Sequence, residues 1–270
     1  PVRAALRLIP EQEYLASRLY WYPAARMLEE QVPPESRTLV FTAPPQAYTT
    51  RTILVDYEAA LNNNLSDMLL GAVRQDWLPS RRLTFRFSER PLRRLRLRQT
   101  APKSAAYWSV SEFRLLLKGR ELPREAQWRL RAQPNPFEVQ MAFDNNPITR
   151  WRSWQGQSEN DCLEVDFGRF EKMDSVVLEV TPDQPGARLR LEGQMAAGPW
   201  EVLAEGPTAE TNAVPRDWRW MMSRELRWQG IEYLLLAKED FIADDVLKHT
   251  AAWGLTLVDE RRGMRLYRVN

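Results

Sequence analysis

The stretch RRLTFRFSERPLRRLRLR, residues 81 to 98, restricts the fold more than any other part of the chain. Apolar and charged side chains alternate along it at period two, and a β-strand is the element that sends successive side chains to opposite faces. The pattern predicts Phe85, Phe87, Leu95 and Leu97 on an inner face and Arg86, Arg94, Arg96 and Arg98 on an outer one. Eight arginines face a single acid there, Glu89. A solvated outer face, which also guards a strand against aggregation, accounts for them. An anionic glycan, a lipid headgroup or another acidic surface is the alternative. The net charge of the whole chain is only +2, and no recognition motif accompanies the basic strand, so nucleic acid is not expected as a partner.

The alternation belongs to one of three textures. Residues 1–80 read as alternating helix and strand: PAARMLEEQVPP predicts a helix opening near Pro23, with Met27 and Leu28 inward, that stops before Pro33 and Pro34. RTLVF at 37–41 and RTILVDY at 51–57 predict buried strands, and NLSDMLLGAVR a helix capped by Asn64. From 81 to 205 short alternating strands take over: LTFRF, LRRLRLR, VSEFRLLL, CLEVDF, DSVVLEV and ARLRLEG. Such a run, with Gly, Pro and Asn turns, predicts an antiparallel β-sandwich. Residues 206–219 read as a connector. The end of the chain returns to the first texture, with a strand in GIEYLLLA, a helix in EDFIADDVLKHTAAWG ended by Gly254, and strands in LTLVDE and MRLYRV. The predicted fold class is therefore α+β multidomain. Residues 1–80 and 220–270 form a discontinuous, Rossmann-like α/β domain, interrupted by a sandwich over 81–205. An insertion whose ends lie close together costs little chain entropy.

At 270 residues the chain has room for about two domains. One cysteine, Cys162, excludes an internal disulfide, and with one histidine, His249, it leaves little material for a zinc site or a Cys-His dyad. No run approaches the roughly 18 apolar residues of a membrane span. The glycines form neither GxGxxG nor a P-loop. Carboxylates are abundant, yet nothing local pairs two of them for glycoside hydrolysis. Asp240, Asp244 and Asp245 read as first-turn charges of the last helix, and His249 as a surface residue. A chain without catalytic activity of its own is expected.

AFDNNPITRW, followed at sandwich spacing by LEVDFG, DSVVLEV, LRLEG and PWEVL, resembles the discoidin domain, also called the coagulation factor 5/8 C-type domain, and the related family 32 carbohydrate-binding modules. The resemblance covers roughly residues 135–205 and implies a galactose-binding-like sandwich. It also implies calcium at the acidic turn, held by Asp144 and Thr149 with carbonyls near Asn146. A metal-free turn closed by Asp144 is the alternative. Asn145 stands where the family often has glycine, and asparagine tolerates the left-handed backbone that such a turn needs. Trp151 is expected in the core, with Arg150 beside an acid or over the indole. Trp154, in WRSWQGQSEN, is the candidate for stacking on a sugar ring, with Arg152, Gln155, Gln157 and Asn160 as candidates for bonding hydroxyls; structural packing is the other reading of these residues. An upstream echo, LTFRFSERPLRRLRL…WSVSEFRLLLKGREL, repeats the order of LEVDFGRFEKMDSVVLEV…LRLEG and suggests either a duplicated half or extra strands.

The flanks YWYPAARMLEEQVPPESRTLVFTAPPQAYTTR and GIEYLLLAKEDF…LYRV resemble the soluble C-terminal region of bacterial membrane glycosyltransferases of the protein-mannosyltransferase type. That resemblance implies a periplasmic or other extracytoplasmic location, attachment to a membrane-embedded domain of the same chain, and Arg3 and Arg7 near headgroups. The function expected is non-catalytic: a sandwich holding carbohydrate or a glycosylation acceptor close to a transferase. A free-standing carbohydrate-binding protein, a glycoside hydrolase and a protein-contact scaffold are the alternatives.

Overall fold

The computed structural model describes residues 10–42, 46–74, 77–184, 186–195 and 198–270, so Arg3 and Arg7 lie outside the described residues. The chain divides into two compact units, Pro1–Val73 with Asp217–Asn270, and Arg74–Arg216.

In the first unit, α1 (Glu11–Arg18) leads into α2 (Tyr22–Gln31), which carries Pro23 in its first turn and buries Met27 and Leu28. Proline fits there because the first-turn N–H groups have no intrahelical acceptor. β1 (Arg37–Val40) and β2 (Thr52–Val55) pair in parallel. Arg51 satisfies carbonyls at the end of α2: its Nε donates to Val32 at 2.7 Å and its Nη2 to Glu29 at 2.9 Å. α3 (Ala60–Val73) starts ahead of Asn64, which therefore lies inside the helix and does not cap it. Ala60 and Leu61, both strong helix formers, extend it upstream. Asn62 ties the helix to β2 by donating to the Val55 carbonyl at 2.7 Å.

The second unit is built from β3 (Arg81–Gln99), β4 (Tyr107–Val110), β5 (Glu112–Leu117), β6 (Arg120–Glu121), β7 (Arg129–Gln133), β8 (Trp151–Gly156), β9 (Cys162–Val180), β10 (Leu189–Gln194), β11 (Glu201–Ala204) and β12 (Ala209–Asn212). LTFRF and LRRLRLR are one strand, as are CLEVDF and DSVVLEV, and each of the two strands is 19 residues long. They pair antiparallel, with register shifts between Arg86 and Arg90 and between Leu92 and Arg94. These shifts split the ladder into halves. Arg81–Arg86 pairs with Ser175–Val180, flanked by β12 on one side and β5 on the other. Arg94–Arg98 pairs with Cys162–Asp166, flanked by β10 and β7.

The pairing is reciprocal. After β3, the chain lays β5 and β7 against the two halves of β9; after β9, it lays β10 and β12 against the two halves of β3. The small strands β6 and β11 extend β5 and β10 respectively. The upstream echo in the sequence thus corresponds to a duplicated strand arrangement in which each copy completes the other. β12 falls in the stretch expected to be a connector; its pairing with β3 brings it into the sheet.

The inner-face expectation holds at Phe85, Leu95 and Leu97, which are fully buried, while Phe87 is partly buried against the same core. Trp108, Trp151, Leu163, Val165 and Phe167 join that core. The basic outer face is matched by acids on neighbouring strands: Arg82 meets Glu179 at 3.0 Å, Arg94 meets Asp166 at 3.2 Å, and Arg96 donates to Glu192 at 2.8 Å. In these pairs the acids are buried while the arginines reach solvent, so each arginine holds a carboxylate that would be costly to leave unpaired. Their consequence is electrostatic, because the arginine stripe carries its own counter-charges.

The chain re-enters the first unit through α4 (Trp218–Trp228), a helix not anticipated in the sequence, whose first turn is capped by Asp217 accepting the Trp220 N–H. β13 (Tyr233–Ala237) pairs in parallel with β1. α5 (Ala243–Lys248) is shorter than the helix expected to run to Gly254. Thr250 turns its hydroxyl back onto the Val246 carbonyl at 2.6 Å, and the Trp253 indole bonds Asp245 at 2.8 Å, folding the segment into turns. Asp240 lies ahead of α5 and accepts the Ala237 N–H at 2.7 Å, so it is no first-turn charge; burial pushes its carboxyl up to about 6. Asp245 is held by Arg219 through two bonds of 2.8 Å. β14 (Leu255–Arg261) and β15 (Met264–Val269) close a five-stranded sheet of order β14-β15-β13-β1-β2. The fold is mixed α/β, with mostly antiparallel strands and few helices. Among the described residues no helix is long and apolar enough to cross a membrane.

Candidate functional site

β4 and β8 form a small two-stranded sheet in the second unit. Ser109 stands opposite Arg152 and Tyr107 opposite Gly156, so Ser153, Trp154 and Gln155 face the single residue Trp108. Ser153 closes this bulge: its hydroxyl accepts the Trp108 N–H at 3.1 Å and donates to the Gln155 carbonyl at 2.6 Å. Trp154 takes up the extra length with a φ of 55°, a left-handed conformation that costs energy for a bulky residue. Bulges re-aim side chains, and here Trp154 and Gln155 both turn outward.

The Trp154 side chain is 46% exposed. Its indole N–H donates to Glu138 at 2.7 Å, and the Arg152 guanidinium lies 3.8 Å from its ring centre. The same Glu138 oxygen accepts from Asn135 at 2.8 Å, and Asn135 also donates to the Arg152 carbonyl at 2.9 Å. Behind this rim Trp151 is fully buried, stacks edge-on against Trp108 and donates its indole N–H to the Asn135 carbonyl at 2.7 Å. Arg150 pairs with Asp183 at 2.9 Å and lies over Trp77. Two more aromatics are exposed on residues tied to this rim: Phe137, next to Glu138 in the chain, at 85%, and Tyr107, paired opposite Gly156, at 48%.

Of the residues singled out in the sequence, Trp154, Arg152 and Gln155 come together at this rim. Gln157 does not. It is buried, accepts from the Gln99 side chain at 2.8 Å and is locked through its backbone to Ser104 and Ala106, so it offers no group to a surface ligand. Asn160 is exposed but accepts from Arg98. Glu138, Phe137 and Tyr107 were not legible as site residues, although an aromatic beside the turn-forming NP of NPFEV is a weak signal.

The Asp144 turn is closed by its own groups. Asp144 accepts the Asn146 N–H at 3.0 Å, and the Thr149 hydroxyl lies 2.8 Å from both Asp144 and the Asn146 carbonyl, donating its one proton to either. Asn145 has the left-handed φ of 58° and accepts from Arg114 at 2.7 Å. The turn offers one carboxylate, a carbonyl and a hydroxyl toward the six to eight oxygens that calcium takes, and Arg114 brings a positive charge beside it. Among the described residues no group of three His, Cys, Asp or Glu side chains is placed to hold a metal. Asp144→Ala removes two turn bonds and should cost about 1–2 kcal/mol, equally in calcium and in chelator; a calcium-dependent rise in melting temperature that the variant loses would overturn this account.

Beside the turn, a cavity of about 300 Å³ is lined by Glu112, Phe113, Trp128, Phe143, Arg124 and Asn145. Glu112 is almost completely buried, with Arg114 3.6 Å away, and burial raises its carboxyl to about 8. Comparison of the chain with protein families, with curated proteins and with solved structures returns no match.

Proposed function

We propose that residues 74–216 form a discoidin-like β-sandwich that binds carbohydrate without transforming it, within an extracytoplasmic region of a membrane glycosyltransferase. In this reading, the α/β unit with its three parallel strands is Rossmann-like and serves as the carrier. The observation that carries the reading is Trp154: a half-exposed indole, held in a left-handed backbone by a filled bulge and oriented by Glu138. An indole face stacks on the apolar face of a pyranose, while Glu138, Gln155 and Arg152 supply acceptors and donors for its hydroxyls. Strain retained at an exposed aromatic is expected where the side chain must be presented in one direction. Holding an acceptor glycan in this way would raise its local concentration at an attached transferase.

Titration of the chain with a panel of oligosaccharides, followed by tryptophan fluorescence, tests the proposal. A binding glycan should shift the emission, and Trp154→Ala should weaken binding at least about tenfold with an unchanged melting profile. Glu138→Gln should weaken it less, because an amide oxygen still accepts the indole N–H. Saturable binding that persists unchanged in Trp154→Ala would place the ligand elsewhere, and a silent panel would favour a protein partner for the exposed Phe137 and Trp154.

A further inference from the structure

α4 buries Met222, Ser223 and Leu226 and turns Trp220, Arg224, Arg227 and Trp228 outward. At 100° per residue, these four outward positions fall within about one third of the helix circumference, along roughly 12 Å of its length. Trp220 is 48% exposed and Trp228 78% exposed, in a molecule whose other exposed aromatics are spread along the chain. Arg224 stacks over the Trp220 ring at 5.0 Å. No acid within the helix is exposed: Glu225 is half-buried and accepts from Gln229 at 2.9 Å. Asp217, at the near end, is the cap of the first turn. Arg219 points aside to Asp245, and Arg227 reaches the Val269 carbonyl with one nitrogen at 3.3 Å.

We propose that this face of α4 docks on the surface of an anionic phospholipid bilayer. Its composition fits that partner and no apolar groove, since it offers indoles and guanidinium groups without one aliphatic side chain. Indoles are amphipathic and settle at the headgroup level, where the ring meets acyl chain and the N–H stays wet. Arginines between them supply bidentate donors to phosphate. Because the aliphatic face of α4 is already buried in its own unit, the helix presents only indoles and guanidinium groups and sits at the headgroup level without entering the hydrocarbon. The inference stands on α4 alone and is independent of glycan binding at Trp154.

The test is co-sedimentation of the whole chain with vesicles of phosphatidylcholine, with and without phosphatidylglycerol, at low and high salt. The chain should bind the anionic vesicles at low salt, with a blue shift of tryptophan emission, and release as salt rises. Trp228→Ala should weaken binding about tenfold, Arg224→Gln about fivefold, and Arg224→Glu should abolish the preference for anionic lipid. These side chains are exposed, so melting temperatures should match the parent; Trp228→Phe, which keeps a ring, should bind at an intermediate level. Absence of binding to anionic vesicles, equal binding to neutral ones, or binding that the Trp220→Ala, Trp228→Ala double variant retains would each overturn the proposal. Glycan titration of the same variants should be unaffected, which separates failure here from failure of the Trp154 site.

Discussion

Gly156→Ala should lower the melting temperature of the Arg74–Arg216 unit by roughly 10 °C, corresponding to about 3 kcal/mol, and should disturb the bulge that presents Trp154. A Cβ at position 156 would sit inside contact distance of the Ser104 carbonyl oxygen and 3.2 Å from the Ala105 Cα. Both obstacles are backbone, which cannot swing aside as a flexible side chain does. The segment is also pinned, since Ser104 donates to the Gln157 carbonyl at 2.9 Å and Gln157 donates to Ala106 at 2.8 Å. Relief of the clash therefore breaks bonds that hold the end of β8, two residues from Trp154. Thermal unfolding of the variant followed by near-ultraviolet circular dichroism checks the claim; a melting temperature within a degree or two of the parent would show that the loop yields freely.

Glu112→Gln should make the protein more stable at alkaline pH while leaving it nearly unchanged near pH 5. The folded-state carboxyl titrates at about 8 against an ordinary value of 4.5, chiefly because burial disfavours its charged form. Arg114 compensates incompletely: it stands 3.6 Å from Glu112 and binds Glu121 at 2.9 Å and Asn145 at 2.7 Å. Between those two pH values the folded chain keeps a proton that the unfolded chain has released, so stability falls as pH rises. The contribution is present in full below about 4.5 and is lost as pH passes through about 8. The slope approaches about 1.4 kcal/mol per pH unit, and glutamine, which does not titrate, should gain on the order of 3 kcal/mol over the parent at pH 9. Urea melts of both proteins across this range decide the matter: curves that stay parallel would mean that Glu112 is not the group responsible.

Much of the architecture was legible because its signals are local. The alternation in LTFRF and LRRLRLR marks an inner face whichever strand lies beside it, and Pro23 followed by Pro33 brackets α2 through backbone sterics alone. Trp151 was expected in the core and Trp154 on a polar loop, and the structure buries the first and leaves the second half-exposed. Gln157 was a candidate for bonding hydroxyls, and its burial was not legible because its partner, Gln99, is 58 residues away and no local pattern announces a buried amide pair. Glu138 was missed for the same reason, since its role as acceptor exists only once the bulge at Trp154 brings the indole to it. α4 was hidden in an arginine- and tryptophan-rich stretch whose apolar face is narrow, with only Met222, Ser223 and Leu226 turned inward.

The sequence by itself determined where strands alternate, where prolines stop helices, that Cys162 has no disulfide partner within these residues, and that an acidic turn precedes an Arg-Trp pair. Tertiary structure decided which strands pair and with what register. It matched Arg82 to Glu179 and Arg94 to Asp166, partners 97 and 72 residues apart, and turned a basic stripe into a set of ion pairs. It also decided that the two long strands complete each other's sheets and that Trp154 faces outward beside Glu138. The physical reason is range. Side-chain period and backbone sterics act within a few residues, whereas register, bulges and charge pairing are settled when distant segments meet around a common core.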